Sequence, residues 1–128
     1  MKLSELTPEQ KRIAIAEACG WKQMPEPGAG PYGEYIERCW ISPTGEQNVR
    51  GIYLPNYPAD LNAMHEAEST KHMPYNTNYV WWLGRIACKA RGMDPDRQDE
   101  VDLNAMAVFA DAEQRADAFL LATGRATV

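Results

Sequence analysis

The chain has 128 residues, a hydrophobic content of 45% and a formal net charge of -5. A chain of this length buries roughly two-thirds of its unfolded surface, which suits a single domain over residues 1–128 without disulfide or metal support. The acidic balance, with no basic run longer than Lys11-Arg12, lacks the positive surface that duplex binding requires. Bulk nucleic acid is therefore not a predicted partner.

The cysteines and the hydropathy pattern indicate a cellular compartment. Cys19, Cys39 and Cys88 are odd in number and widely spaced, which is typical of buried free thiols in a reducing cytoplasm. The N-terminal residues lack the apolar stretch of a signal peptide, and no apolar run is long enough to cross a bilayer. We therefore expect a soluble intracellular protein with no membrane partner.

Helix-starting residues and helical apolar spacing predict four helices in this chain. In order, they lie between Thr7 and Gly20, between Pro58 and Thr70, between Tyr79 and Gly92, and from Ala112 to Thr123. Thr7 with Gln10 and Asp111 with Gln114 have the spacing of capping boxes, so the first and last helices have defined starts. Polar residues 71–78 are predicted to connect the second helix to the third.

The strand and loop signals lie between these helices. Branched and aromatic residues predict a β-hairpin of Tyr35–Ser42 with Val49–Leu54 around a Pro-Thr-Gly turn. Three prolines and three glycines predict a loop at 24–33, and a second, acidic loop is predicted at 92–102. Residues 103–110 are ambiguous between strand and helix, and their place before Asp111 favours a strand. The resulting fold class is α+β, with a small, mostly antiparallel sheet layered with about four helices.

Three segments carry a family resemblance. They read AEACGW at 16–21, LPNYPADLNAMHEAE at 54–68 and AEQRADAFL at 112–120, in that order along the chain. With this order the chain resembles the phage ABA-sandwich domain family, small phage and prophage proteins of mostly unknown function. The resemblance implies a compact sheet covered by helices and a phage origin. It implies no catalytic residues.

The second predicted helix carries polar residues on an unusual face. Asp60 and Glu68 fall within its apolar arc, and His65 lies at the edge. A carboxylate in that position needs a partner or a place at the margin of the core. Asp60, Asn62, His65 and Glu68 are therefore candidate binding residues. Asp60 and Glu68 lie about 12 Å apart along the helix axis, which is wide for an acid and base acting on one bond.

Trp81 and Arg85 form the other candidate site. Trp81 lies about 200° from Tyr79 on the helical wheel, opposite the apolar stripe, and Arg85 follows one turn later on the same side. Such a tryptophan is either covered by another layer of the chain or forms a contact surface. Tryptophan and arginine are enriched at interfaces and can also stack on a base while contacting phosphate. A homodimer is a common way to cover such a patch.

No nucleophile, phosphate-binding or metal motif is present in the sequence, and no cofactor or metal is predicted. The sequence His65-Glu66 lacks the second histidine of a zinc hydrolase because position 69 is Ser. We therefore expect a phage accessory protein without catalytic activity in the host cytoplasm, a counter-defence binder that sequesters a small host signalling nucleotide or blocks a host protein. The alternatives are a hydrolase using Asp60, His65 or Glu68, and a structural or protein-interaction module. A homo-oligomer is also expected.

Overall fold

The computed structural model describes residues 1–23, 28–29, 35–36, 40–43 and 54–128. Within these residues lie five α-helices: α1 Pro8–Ala18, α2 Leu61–Thr70, α3 Thr77–Ala90, α4 Glu100–Ala107 and α5 Ala112–Ala122. Short 3-10 turns occur at Leu3–Glu5, Met73–Tyr75 and Pro95–Arg97. The strands are β1 Lys22–Gln23, β2 Gly28–Ala29, β3 Tyr35–Ile36 and β4 Trp40–Ile41. The chain is a small α+β domain, as the sequence predicts.

The strands form two short antiparallel pairs, β1 with β4 and β2 with β3. Lys22 lies opposite Ile41, and Gly28 lies opposite Ile36. The predicted strand 35–42 is thus divided between two pairs. The predicted loop 24–33 contains β2, whose residues Gly28 and Ala29 pair with Ile36 and Tyr35. Residues 49–53 lie outside the described residues, and with them most of the second strand of the predicted hairpin.

The predicted helix starts of α1 and α5 are confirmed. The Thr7 hydroxyl accepts from the Gln10 N–H at 3.1 Å, and the Gln10 side chain accepts from the Thr7 N–H at 2.9 Å. Asp111 and Gln114 exchange the same two bonds at 2.9 and 3.2 Å. These capping boxes satisfy N–H groups that have no partner within the helix.

The segment before α5 corrects two predictions. Residues 103–110 are not a strand, because α4 extends over Glu100–Ala107 and the chain turns after it. The predicted acidic loop 92–102 contains the Pro95–Arg97 turn and the start of this helix. The Asp99 carboxylate accepts from the Asp102 N–H at 2.8 Å and caps α4, and the acidic side chains in its first turn complement the helix dipole.

Helix α5 lies at the centre of the core. It packs against α1, α2 and α3, and Phe119 and Leu120 are completely buried. Helix α4 is attached differently, because only Ala107 among its residues is buried and the helix lies against α3. The approach is close at Gly84, where an added Cβ would lie 2.7 Å from the Leu103 carbonyl oxygen. No helix in the described part of the chain is long and apolar enough to cross a membrane.

Candidate functional site

Asp60 and Asn62 lie at the start of α2. The Asp60 carboxylate accepts from the backbone N–H groups of Asn62 and Ala63, at 3.0 and 3.3 Å. Asp60 is therefore the N-cap of α2, and the helix begins at Leu61, later than the predicted Pro58. Both Asp60 and Asn62 are exposed. This contact gives the Asp60 carboxylate a structural role, whatever else it binds.

Glu68 is buried in an ion pair. One guanidinium nitrogen of Arg115 on α5 donates to its two carboxylate oxygens at 3.2 and 3.0 Å. The Arg115 Nε also donates to the Ala110 carbonyl, at 3.0 Å. His65 Nδ1 lies 3.5 Å from the same carboxylate, and its side chain is half-exposed. Arg115 is thus the partner that the sequence pattern required for Glu68, from a helix distant along the chain.

Tyr79 lies beside this pair at the base of α3. Its hydroxyl is buried and has no hydrogen-bond partner of good geometry among the described residues. Burial is the main reason that the pKa of Tyr79 is raised, and the negative charge of Glu68 adds to it. Asp60 caps a helix at the surface while Glu68 faces Arg115 in the core, so these two carboxylates do not face one substrate.

Trp81 and Arg85 lie together on the outer side of α3, as predicted. Trp81 remains 50% exposed. Its ring meets Trp82 edge-to-face, with centroids 4.8 Å apart and an interplanar angle of 85°. The Arg85 guanidinium carbon lies 4.6 Å from the Trp81 ring centroid, and its Nη2 donates to the Asp96 carboxylate. These contacts hold the Trp81 ring in place while leaving half of the side chain accessible to solvent.

An open groove with a volume of about 490 Å³ adjoins Trp81 between the start of α3 and α4. It is lined by Tyr75, Thr77, Asn78, Val80, Trp81, Glu100, Leu103 and Asn104. Of the six candidate residues from the sequence, Trp81 alone lines this groove, and Arg85 contacts Trp81 from the side. Asp60, Asn62, His65 and Glu68 do not line it. The sequence prediction missed the lining residues on α4 because it placed Glu100 in a loop and favoured a strand for Leu103 and Asn104.

A second, smaller groove lies on the other side of α4. Its volume is about 390 Å³, and its lining includes Met93, Asp102, Met106 and Phe109. The Arg91 guanidinium lies 5.5 Å from the Phe109 ring centroid. Helix α4 is therefore a ridge between two grooves, with aromatic side chains in the lining of both.

The charge around α4 is strongly negative. Residues 94–102 carry five carboxylates and one guanidinium. Arg97 is close to Asp94, at 3.6 Å, and Arg85 is bonded to Asp96, so both cations already have carboxylate partners. In the described part of the chain, no three or more His, Cys, Asp or Glu side chains are grouped closely enough to hold a metal ion.

Comparisons with known proteins add no constraint to this geometry. No protein-family model, no curated protein and no solved structure matches the chain.

Proposed function

We propose that this chain is a small binding protein without catalytic activity that acts by occupying the surface of a host protein in the cytoplasm of a phage-infected cell. The sequence resemblance to phage proteins supports the setting. The observation that supports the binding mode is the groove at Trp81, where a large aromatic ring is fixed on two sides and still half-exposed. Buried aromatic anchors carry much of the energy at protein interfaces.

The composition of the groove favours a protein over an anionic nucleotide. Among its described lining residues there is no lysine, arginine or histidine, and Glu100 is acidic. Arg85, which contacts the Trp81 ring, already shares its charge with Asp96. A phosphate group placed here would meet negative charge without a free cation to offset it.

Sequestration of a small signalling nucleotide is the second candidate function. Two features favour it, because the groove has the volume of a small-molecule site and Trp81 offers an aromatic face for stacking a base. In this arrangement Asn78 and Asn104 would contact the base, and the phosphates would extend into solvent.

In-cell photo-crosslinking distinguishes these functions. A photo-crosslinking amino acid is introduced at Tyr75, an exposed lining residue, in the full chain produced in bacterial cells during phage infection. The matched control carries it at Val128, an exposed apolar residue at the C-terminus that lines neither groove. We expect a cross-linked protein adduct at Tyr75 and none at Val128.

The same purified sample is heated, and the released small molecules are identified by mass spectrometry. An intact nucleotide released on denaturation, with no protein adduct at Tyr75, would replace the first proposal with sequestration. Turnover of an added nucleotide would establish the hydrolase alternative. Equal adducts at Tyr75 and Val128 would show that the groove has no selective protein contact, and the proposal would be wrong.

A further inference from the structure

We propose that the groove between α3 and α4 takes a segment of the partner protein in which an apolar side chain is flanked by lysine or arginine. This inference rests on the proposed function and specifies the chemistry of the partner. It combines two observations, a groove whose lining includes the half-exposed Trp81 ring and a carboxylate, Glu100, on one of its walls.

The apolar part of the surface extends beyond the groove itself. Tyr75 is 88% exposed at one end, and Val101 on the first turn of α4 is 75% exposed. Val101, Ala105 and Val108 are separated by four and three residues, so they form one exposed stripe along the ridge. Single exposed apolar residues are ordinary, but a stripe beside a groove with Trp81 in it is typical of a docking surface.

The charge of the wall determines the kind of segment that fits. Glu100 lines the groove, Asp102 lines the neighbouring one, and neither forms an ion pair with any residue that the structure describes. The dipole of α4 contributes only about half a positive charge at this end. A segment with lysine or arginine beside its apolar anchor would therefore be attracted, and an acidic segment would be repelled.

The same charge disfavours a second copy of this chain as the occupant. In a two-fold symmetric dimer both subunits use the same patch, so the acidic residues near α4 of both copies would be brought into one interface. Like charges facing each other across an interface cost free energy. The homo-oligomer expected from the sequence is therefore not the proposed occupant, and the experiments below include a measurement that would detect it.

The test measures binding of a defined probe by fluorescence anisotropy. The probe is a fluorescein-labelled helical peptide of leucine on one face and lysine on the other. Two matched peptides serve as controls. In one, every lysine is replaced by glutamate, and in the other, every leucine is replaced by serine. The protein should bind the leucine-lysine peptide about tenfold more tightly than either matched peptide, because each control removes one of the two contributions.

Two variants locate the binding on the protein. Tyr75→Ser removes an exposed ring with little effect on the fold, and it should weaken binding of the leucine-lysine peptide by about tenfold. Glu100→Lys should weaken it several-fold, while Glu113→Lys, the same charge change at an exposed position on α5, should not. Equal weakening by the two lysine variants would show a net-charge effect only and would overturn the proposal.

Light scattering of the unliganded protein is the test for a second copy. If the protein is a dimer that Tyr75→Ser makes monomeric, the groove is occupied by its own copy and the proposal is wrong. Failure of this inference can be separated from failure of the proposed function. A cross-linked host protein whose contacting segment is acidic or uncharged would overturn the inference alone. Absence of any host-protein adduct at Tyr75 would overturn both.

Discussion

Arg115 joins α5 to α2 by donating from one nitrogen to both carboxylate oxygens of Glu68, at 3.2 and 3.0 Å, through side chains that are almost entirely buried. Its remaining N–H groups lie against the carbonyl oxygens of Ala110 and Val108, before the start of α5. The Arg115 side chain thus links α5 to α2 and to the segment that connects α4 with α5. The pair is a structural element of the core, with the desolvation cost that any buried ion pair carries.

Removal of one partner of this pair should be strongly destabilising. Glu68→Ala leaves the Arg115 guanidinium buried without its counter-ion, and it should lower the free energy of unfolding by about 3 kcal/mol, measured by urea denaturation. Glu113→Ala on the exposed side of α5 is the control and should change it by less than about 0.5 kcal/mol. The double variant Glu68→Leu with Arg115→Met should recover much of the loss. A Glu68→Ala variant as stable as the control would refute this role.

Tyr79→Phe should be tolerated or stabilising. The buried hydroxyl of Tyr79 lies beside Glu68 and Arg115 but makes no hydrogen bond of good geometry with any described residue, so its removal relieves a desolvation cost. We expect the free energy of unfolding to rise by up to about 1 kcal/mol in a urea titration. Tyr75→Phe, at an exposed position, is the control and should have no effect. A clear loss of stability in Tyr79→Phe would mean that the hydroxyl is bonded in solution, for example through a water molecule.

Stability should decrease at alkaline pH. Burial raises the pKa of the Cys19 thiol from its ordinary value of 9.0 to about 11, and burial also raises the pKa of Tyr57 and Tyr79. Between pH 9 and pH 11 the unfolded chain loses the Cys19 proton while the folded chain keeps it. Since the folded state then binds more protons, its stability falls as the pH rises and is unaffected by this group below about pH 9.

Urea denaturation at a series of pH values across this window tests the alkaline effect. Cys19→Ala removes the thiol whose pKa is raised and should reduce the slope of stability against pH between pH 9 and pH 11. A free energy of unfolding that stays constant from about pH 8 to pH 11 would contradict the prediction.

The sequence correctly predicted those features of the fold that depend on residues close together in the chain. The capping boxes at Thr7 and Asp111 depend on side chains three residues away, so their patterns can be read directly. Helix α4 was missed because residues 92–102 were predicted to be an acidic loop and the place of residues 103–110 before the Asp111 cap favoured a strand. What places a helix there is the Asp99 cap and the fit against α3, and the fit is not visible in a local window.

The candidate sites also show the difference between what one helix determines and what contacts between distant segments determine. The wheel position of Trp81 correctly placed it away from the core, because one helix determines that angle. The position of Glu68 indicated that a partner was needed, but not which one, since Arg115 lies 47 residues away. The groove could not be predicted at all, because its second wall is the helix that the sequence pattern concealed.

Variants of Asp60 distinguish a helix-capping role from a role in binding. Asp60→Ala should lower the free energy of unfolding by about 1 kcal/mol because two N–H groups lose their acceptor. Asp60→Asn retains a capping side chain and should lose much less. Binding of the leucine-lysine peptide should be unchanged in both variants. Weaker peptide binding without a loss of stability would show that Asp60 belongs to the binding surface.

Gly84→Ala tests the attachment of α4. In an isolated helix this change is favourable by about 1 kcal/mol, because alanine is the better helix former. Here the new Cβ would lie 2.7 Å from the Leu103 carbonyl oxygen and 3.1 Å from the Leu103 carbonyl carbon. These are backbone atoms, so a change of side-chain rotamer cannot relieve the contact. Helix α4 must therefore move away from α3. We expect a net loss of about 1–3 kcal/mol in unfolding free energy.

The movement should also alter the groove, because α4 supplies one of its walls. Binding of the leucine-lysine peptide should weaken in Gly84→Ala, although residue 84 does not line the groove. Lys89→Ala, at an exposed position on the same helix, controls for a general effect of alanine on α3. If Gly84→Ala proves more stable than the parent and binds the peptide equally well, the close approach of the two helices does not determine the geometry of the groove.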